Sequence, residues 1–237
     1  MANKFNKVAV LNFSGNVGKS TLSKHLLAPM MPGAAVVAVE TINADAASEQ
    51  TIKGAQFGQL QEDMLLEDSV IVDVGSSNVE EFLALMKQYR GSHEDFDLYV
   101  VPCVPAQKQQ KDTVECVRAL ARLGIPPKKI RIVFNLVPPG EDVRKVFAPL
   151  IAFSEAEGLA MVNPEAAVIE SGLFAKVRNG GRSIAELADD PTDFKAEIAK
   201  AATSEQKTAL AGQLSAKRLA QGVRENLGEV YSALVAG

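Results

Sequence analysis

The sequence predicts an α/β fold: a doubly wound, mostly parallel sheet flanked by helices, followed by a helical extension at the C-terminal end. Short runs rich in Val, Leu and Ile recur along most of the chain, and longer segments with helical spacing separate them. These runs are apolar on both faces, as strands are when helices cover both sides of a parallel sheet. The regular alternation of strand and helix therefore favours one doubly wound sheet.

Six short runs are the strand candidates of this sheet. They occupy residues 8–12, 36–40, 70–74, 98–102, 130–135 and 159–162. Helical patterns occupy about residues 19–30, 79–89, 108–123 and 141–157. In the third of these helices Val117 and Leu120 belong to one apolar face, and Gly124 and Pro126 then end the helix.

Composition restricts the class of protein. The 237 residues suit one domain with an appendage, and 47% apolar with 23% charged residues is ordinary for a soluble globular chain. The net charge of −4 argues against a chain-wide attraction to nucleic acid, so contact with DNA needs a local basic patch. The two cysteines, Cys103 and Cys116, have no metal-ligand spacing around them and are expected to be buried thiols.

The sequence carries no targeting or membrane-spanning pattern. Residues 1–7 are polar and lead directly into a strand candidate, which is unlike a signal peptide. No apolar run approaches the roughly 20 residues that span a bilayer. We therefore expect a cytoplasmic protein.

Residues 203–235 differ from the rest of the chain. They contain no strand pattern and no proline, and their apolar residues recur at helical spacing: Leu210, Leu214, Leu219, Val223, Leu227, Val230 and Leu234. We predict a terminal helix packed on the core, with a helix for dimerisation or partner binding as the alternative. A membrane-surface helix is disfavoured, because the polar face carries acidic residues and no Trp or Phe is present as an anchor.

A glycine-containing loop follows the first strand candidate and opens the first helix. Its residues are Ser14, Gly15, Asn16, Val17, Gly18, Lys19, Ser20 and Thr21. Glycines let successive backbone N–H groups converge on phosphate oxygens, and the helix N-terminus adds partial positive charge. The spacing lets Lys19 reach the β- and γ-phosphates and lets the Ser20 hydroxyl ligate Mg²⁺. Phe13 stands where the strict pattern has its first glycine, so an ordinary strand–helix turn is the alternative to a nucleotide-binding loop.

An aspartate at the end of another strand candidate completes the predicted metal site. Asp73 lies near the end of the run at 70–74, and Gly75 follows it. Such an aspartate holds Mg²⁺ through water, and the glycine lets the backbone pass near the γ-phosphate. A helix cap or turn residue is the alternative role for Asp73. The sequence thus predicts ATP or ADP with Mg²⁺ as ligands, and Lys19 and Asp73 as catalytic residues.

At these residues the chain resembles the ParA/MinD group of deviant Walker ATPases. Members of that group carry Asn/Gln-Lys-Gly-Gly-x-Gly-Lys-Thr/Ser after the first strand, and residues 12–20 here, Asn-Phe-Ser-Gly-Asn-Val-Gly-Lys-Ser, lie in register with it. This form of the loop is most similar to StbB-type plasmid stability proteins, a ParA-like branch. The resemblance covers about residues 7–185. It implies a P-loop ATPase domain over residues 1–190 and a C-terminal helical extension over residues 191–237.

The resemblance implies further site residues. Asn135, which ends the fifth strand candidate, corresponds to the family's asparagine that hydrogen-bonds adenine, with turn formation as the alternative. Pro164 falls in the following loop, where family members close over the base. Glu40 ends the second strand candidate, where the family begins an Asp-x-Asp.

Two departures from the family pattern alter the expected mechanism. The signature lysine, which crosses a dimer interface to the partner's phosphates, corresponds to Ser14, and the second acid of Asp-x-Asp corresponds to Ile42. Glu40 and Asp45 are the candidate substitutes for that acid. Since a phosphoryl transition state needs positive charge near its oxygens, we expect a weak or partner-stimulated ATPase. The change at Ser14 also bears on the nucleotide-dependent dimer that the resemblance implies.

Two basic clusters are candidate partner surfaces. The first cluster consists of Arg118, Arg122, Lys128, Lys129 and Arg131, and the second cluster consists of Lys176, Arg178 and Arg182. Either can contact DNA phosphates without reading sequence. A solvated face is the alternative for each.

The resemblance implies a role in plasmid partition, stability or positioning. ATP would control self-association and binding to a partner, a plasmid-encoded DNA-binding adaptor, with nucleoid association as a consequence. The alternatives are a nucleotide-sensing module with little or no hydrolysis and a MinD-like, membrane-associated positioning ATPase. A small-molecule kinase or ligase would need an arginine-rich lid, which the sequence does not show.

Overall fold

Six parallel strands form one sheet in the part of the chain that the structure describes. The structure is a computed structural model and describes residues 5–39 and 54–236. The strands are β1 (Lys7–Val10), β2 (Ala35–Val39), β3 (Val70–Val74), β4 (Leu98–Cys103), β5 (Ile130–Val137) and β6 (Met161–Ile169). Their order across the sheet is β2-β3-β1-β4-β5-β6. The predicted parallel sheet is confirmed.

The central strands carry the apolar sequence that the sheet requires. Every residue of β3 and of β4 is buried, because helices cover both faces. In the parallel register Val10 of β1 pairs with Asp73 of β3 and with Val100 of β4. The carboxyl ends of these strands therefore meet at one edge of the sheet, where the glycine-containing loop begins.

The helices lie between and after the strands. They are α1 (Lys19–Leu22), α2 (Ala28–Met30), α3 (Gly54–Leu66), α4 (Val79–Gln88), α5 (Gln107–Arg122), α6 (Val143–Val146), α7 (Ala148–Glu157), α8 (Leu173–Gly180), α9 (Ile184–Ala188), α10 (Phe194–Lys200) and α11 (Ser204–Ala236). A π-helical stretch, Ser23–Leu27, joins α1 to α2, so that the predicted helix at 19–30 is one continuous helical segment. The predicted helix at 141–157 is split in two, because Pro149 stands in the first turn of α7.

Two apolar clusters hold the helices on opposite faces of the sheet. On one face α3, α4, α5 and α7 contribute residues such as Phe57, Phe82 and Val117. On the other face the α1–α2 segment, α8, α9 and α11 contribute residues such as Leu26 and Leu227. Cys103 and Cys116 are free and buried, as predicted, and burial raises the pKa of each thiol to about 12.

The terminal helix α11 has two different halves. From Ala220 to Leu234 it buries one residue every three or four positions against the sheet, on the face of α8 and α9. From Ser204 to Leu219 its side chains are exposed or half-buried. The second half thus confirms the predicted helix packed on the core. Within the described residues, no helix combines the length and apolar character needed to cross a bilayer.

Candidate functional site

The loop between β1 and α1 has the backbone geometry of an anion-binding turn. Asn16 and Gly18 have left-handed φ values of 58° and 88°. Alternation of left-handed and right-handed residues turns successive N–H groups toward one concave side. Gly18 caps the helix without a side-chain hydrogen bond, which leaves the first N–H groups of the helix open to a ligand.

Gly18 and Asn135 are in direct contact across the loop. A Cβ at position 18 would lie 2.0 Å from Nδ2 of Asn135, so only glycine fits there. The same Nδ2 donates to the carbonyl of the fully buried Val17 at 2.8 Å. The end of β5 therefore holds the loop in place, and the structure brings these predicted residues together.

Lys19 lies folded back into the centre of the loop. Its Nζ donates to the carbonyl of Ser14 at 2.9 Å and to the carbonyl of Asn12 at 3.4 Å, and only 8% of the residue is exposed. Burial lowers the pKa of Lys19, while the charge of Asp73 acts in the opposite direction. An anion in the loop would compete with these two carbonyls for the ammonium group.

The predicted metal-side residues flank this lysine. Asp73 is 5% exposed and is the next-to-last residue of β3, directly beside β1. Ser20 is exposed in the first turn of α1, and the N–H of Gly75 donates to the carbonyl of Val39. One carboxylate and one hydroxyl beside a phosphate-binding loop suit Mg²⁺, which takes its remaining ligands from phosphate and water.

The position of the family's signature lysine is occupied by a hydroxyl tied to α5. Ser14 is 3% exposed, and its Oγ donates to Asp112, which also accepts from Lys108 at 2.8 Å. Hydrogen bonds from Lys108 and then Ser14 hold the pKa of Asp112 below its ordinary value. In place of a lysine directed at a second chain, position 14 thus carries a contact within its own chain.

The side chain of Asn12 holds the loop in place through hydrogen bonds, a role that the sequence did not reveal. Its Oδ1 accepts from the N–H of Ser14 at 2.9 Å, and its Nδ2 donates to the carbonyl of Pro102 and to Thr113, each at 2.8 Å. A polar residue directly after an apolar strand was the available signal. Pro102 and Thr113 lie 90 and 101 positions away in sequence, so only the fold identifies them as partners of Asn12.

A cleft of about 760 Å³ opens beside the loop. It is lined by Asn16, Gly18, Lys19, Ser20, Thr21, Lys24, His25, Asn135, Leu136, Phe174, Val177 and Arg178. Its volume lies in the range of small-molecule and cofactor sites. The described lining includes three cationic side chains and no carboxylate, so the cleft suits an anion.

Two features at the end of β5 belong to residues that line this cleft. Oδ1 of Asn135 is buried and has no hydrogen-bond partner within the described residues. A buried acceptor of this kind destabilises the fold unless a ligand or water satisfies it. Leu136, the next residue, has a left-handed φ of 53°, which is rare for a large side chain and clusters at functional sites.

The predicted role of Pro164 in a loop over the base is wrong in position. Pro164 lies inside β6 and is absent from the cleft lining, and the strand continues to Ile169. Between two paired positions, β5 advances two residues (132–134) while β6 advances five (162–167). An edge strand with such a bulge tolerates proline. The two candidate catalytic acids, Glu40 and Asp45, lie outside the described residues, as does Ile42.

The first basic cluster is largely occupied by internal contacts. Arg131 is 6% exposed, donates to the carbonyl of Leu234 and covers the ring of Phe5 at 5.6 Å, so its predicted role in a DNA surface is wrong. Lys129 donates to two backbone carbonyls. Arg118 pairs with Glu115 and Glu157.

The second basic cluster is divided between different environments. Arg182 pairs with Asp190 at 2.8 Å. Lys176 is exposed, whereas Arg178 stands at the rim of the cleft. Arg178 was predicted as a partner contact, and the structure places it with the nucleotide-site candidates.

The same fold is found in solved structures of MinD and McdA. The MinD cell division protein of Aquifex aeolicus matches with a TM-score of 0.54 and 12% identity, over 90% of this chain and 96% of that chain. The MinC:MinD complex of the same organism matches with 0.54 and 13%, over 90% and 95%. Apo McdA of Cyanothece matches with 0.50 and 13%, over 89% and 98%.

No protein-family model and no curated protein sequence matches the chain. At the identities of these structural matches the likeness concerns the fold. The chain shares with these MinD and McdA structures the fold described above, a parallel six-stranded sheet flanked by helices and followed by a C-terminal helix.

Proposed function

We propose that this chain is a ParA/MinD-like positioning ATPase whose bound nucleotide controls its association with itself and with a partner. One observation carries the proposal: the described lining of one cleft has no carboxylate and combines Gly18, where only glycine fits, the buried Lys19 and Asn135, whose amide oxygen is unsatisfied. Together these features fit a nucleoside triphosphate. The MinD-type fold supports the same assignment.

The loop residues would bind the phosphate chain. Backbone N–H groups from Gly15 to Thr21 would surround the β- and γ-phosphates, as the positive φ values allow. Lys19 would exchange its bonds to its own loop carbonyls for bonds to phosphate oxygens. This exchange gives the partly desolvated ammonium group of Lys19 an anionic partner. A nearby negative charge favours the charged form of the lysine.

Ser20 and Asp73 are the residues that would hold Mg²⁺, Asp73 through water. When bound, Mg²⁺ neutralises phosphate charge during phosphoryl transfer. The protein's own contribution is to place a hydroxyl, from the residue after Lys19, and a buried carboxylate near this lysine. Burial of Asp73 on β3 fixes its position at the sheet edge.

Asn135 would select adenine. Because Nδ2 already donates to Val17, the orientation of the amide is set and Oδ1 is the atom left for the ligand. An acceptor suits the exocyclic amino group of adenine. Guanine has a carbonyl at that position, which would leave two acceptors facing each other.

Slow or partner-dependent hydrolysis is part of the proposal. Ser14 supplies no positive charge, and it is bonded to Asp112 of the same chain. Glu40 and Asp45 remain the proposed substitutes for the acid that positions water. A partner that supplies a cation would then accelerate hydrolysis, as charge stabilisation of the transition state requires.

The cellular role is the finer part of the proposal. The loop at 12–20 has the StbB-type form, which supports plasmid partition or stability with a plasmid-encoded DNA-binding adaptor as the partner. One of the structural matches is a complex of MinD with MinC, which supports partner binding by this type of fold. We place the protein in the cytoplasm on the same grounds.

Calorimetric titration with MgATP tests nucleotide binding. We expect Lys19→Ala to weaken binding by about 100-fold or more, because charge-assisted hydrogen bonds to phosphate are lost. Lys176→Ala is the matched control, since this exposed lysine does not line the cleft. GTP should bind more weakly than ATP. Equal affinity of the wild type and Lys19→Ala for MgATP would refute the proposal.

A nucleotide-sensing module with little hydrolysis is the second candidate, favoured by Ser14. Single-turnover hydrolysis of ATP, compared between the wild type and Lys19→Ala, separates the two functions. A wild-type rate well above that of the variant, alone or with DNA and partner, excludes the sensing module. ATP binding that changes no assembly state by analytical ultracentrifugation would exclude the switch.

A further inference from the structure

Two helix faces form the walls of the cleft beside the phosphate loop. Thr21, Lys24 and His25 project from the helical segment that starts at Lys19, at spacings of three and four residues. Phe174, Val177 and Arg178 project from α8 with the same spacing. Residues with this spacing share one face of a helix. The trough therefore runs from the loop along the first helical turns, with α8 as its opposite wall.

The position of α8 is held by packing that does not involve Arg178. Leu173 is fully buried, and Phe174 is 8% exposed and lies 6.0 Å from the ring of His25, centroid to centroid. Both belong to the apolar cluster that includes α11. The apolar side chains of α8 thus hold the helix in place, and Arg178 lines the trough.

Among the described residues, the charges at the rim of this trough have no ion-pair or hydrogen-bond partner. Neither Lys24 nor Arg178 forms an ion pair or hydrogen bond with another described residue, and both are exposed. Two other described arginines differ, since Arg182 pairs with Asp190 and Arg224 pairs with Asp189. An arginine that pairs with no described residue, on a cleft wall whose described lining has no carboxylate, is available to an anionic ligand.

We propose that Arg178 binds the α-phosphate of the nucleotide and so supplies, within one chain, positive charge that Ser14 does not provide. This inference rests on the proposed nucleotide site. Lys19 lies inside the loop and would serve the outer phosphates, whereas Arg178 lines the same trough from α8, near His25 and beyond the loop, on the side left for the nucleoside. The α-phosphate is the anionic group between these two regions.

Displacement of a fluorescent ADP analogue by adenosine, AMP, ADP and ATP tests this assignment. We expect Arg178→Ala to weaken AMP, ADP and ATP each by about 10-fold and to leave adenosine unchanged, because only the phosphorylated ligands carry the group that Arg178 binds. Arg178→Lys should recover part of the loss. Lys19→Ala should weaken ATP and ADP far more than AMP.

Lys176→Ala is the matched control, since it removes a cation from the same helix outside the cleft lining. Thermal unfolding of Arg178→Ala should match the wild type, because Arg178 is exposed and forms no ion pair or hydrogen bond within residues 5–39 and 54–236. An unchanged affinity for AMP, or an equal loss for adenosine, overturns the proposal. Failure of the wild type to bind any of the four ligands would instead refute the nucleotide site itself.

Discussion

The two basic clusters look alike in the sequence and are used differently by the fold. In the first cluster Arg131 is buried against Phe5 and α11, and Arg118 and Lys129 are bonded to neighbours. In the second cluster Arg178 lines the cleft and pairs with no residue of the part that the structure describes. A count of cations along the sequence therefore does not distinguish the cations that stabilise the fold from those that are available to a ligand.

The largest expected effect on stability is at Arg131. Arg131→Ala should lower the free energy of unfolding by about 2–4 kcal/mol, because it removes the bond to the Leu234 carbonyl, the contact with Phe5 and buried side-chain volume. Urea denaturation measures the change. Arg118→Ala is the control, since its partners are exposed and its midpoint should not move measurably. Equal midpoints for Arg131→Ala and the wild type would contradict the structural role.

A second prediction concerns the salt dependence of any binding to duplex DNA through these clusters. Apart from Arg178, which lines the cleft, three of their cations, Arg122, Lys128 and Lys176, are exposed and without partners among the described residues. Each neutralised phosphate contributes about −0.9 to the slope of log K against log salt, so the slope should be no steeper than about −3. Fluorescence anisotropy over a salt series gives the slope. A much steeper value would mean that the bonded cations also reach DNA.

The smallest expected effect is a change in the titration of His25. Burial, and then the charges of Lys24 and Arg178, lower its pKa below the ordinary value of 6.5. The unfolded chain therefore binds the proton more readily, so stability is complete above pH 6.5 and falls as pH drops toward the lowered value. Arg178→Ala should raise this pKa, as NMR titration of the imidazole can measure. Lys176→Ala is the control, and an equal shift in both variants would contradict proximity to Arg178.

The phosphate loop and the sheet were predictable because their signals are local. Strands buried on both faces leave unbroken apolar runs, and a loop that turns on glycine before a helix has a recognisable spacing. Helix α3 escaped prediction; it has glycines at positions 54 and 58, which weaken its helical signal. The sixth strand was predicted too short, since Asn163, Pro164 and Glu165 interrupt its apolar pattern at the bulge.

By itself the sequence determined the α/β class, the loop from Ser14 to Thr21 and the resemblance that suggests ATP. The tertiary structure was needed to show that only glycine fits at position 18 and that Ser14 is hydrogen-bonded to Asp112. It also showed that the Oδ1 of Asn135 has no hydrogen-bond partner among the described residues. It also showed that Arg131 is buried within the fold, whereas Arg178 lines the cleft. The reason is physical: strand and loop patterns depend on neighbours in sequence, whereas burial and partnership of a polar group depend on residues that the chain brings together from far apart.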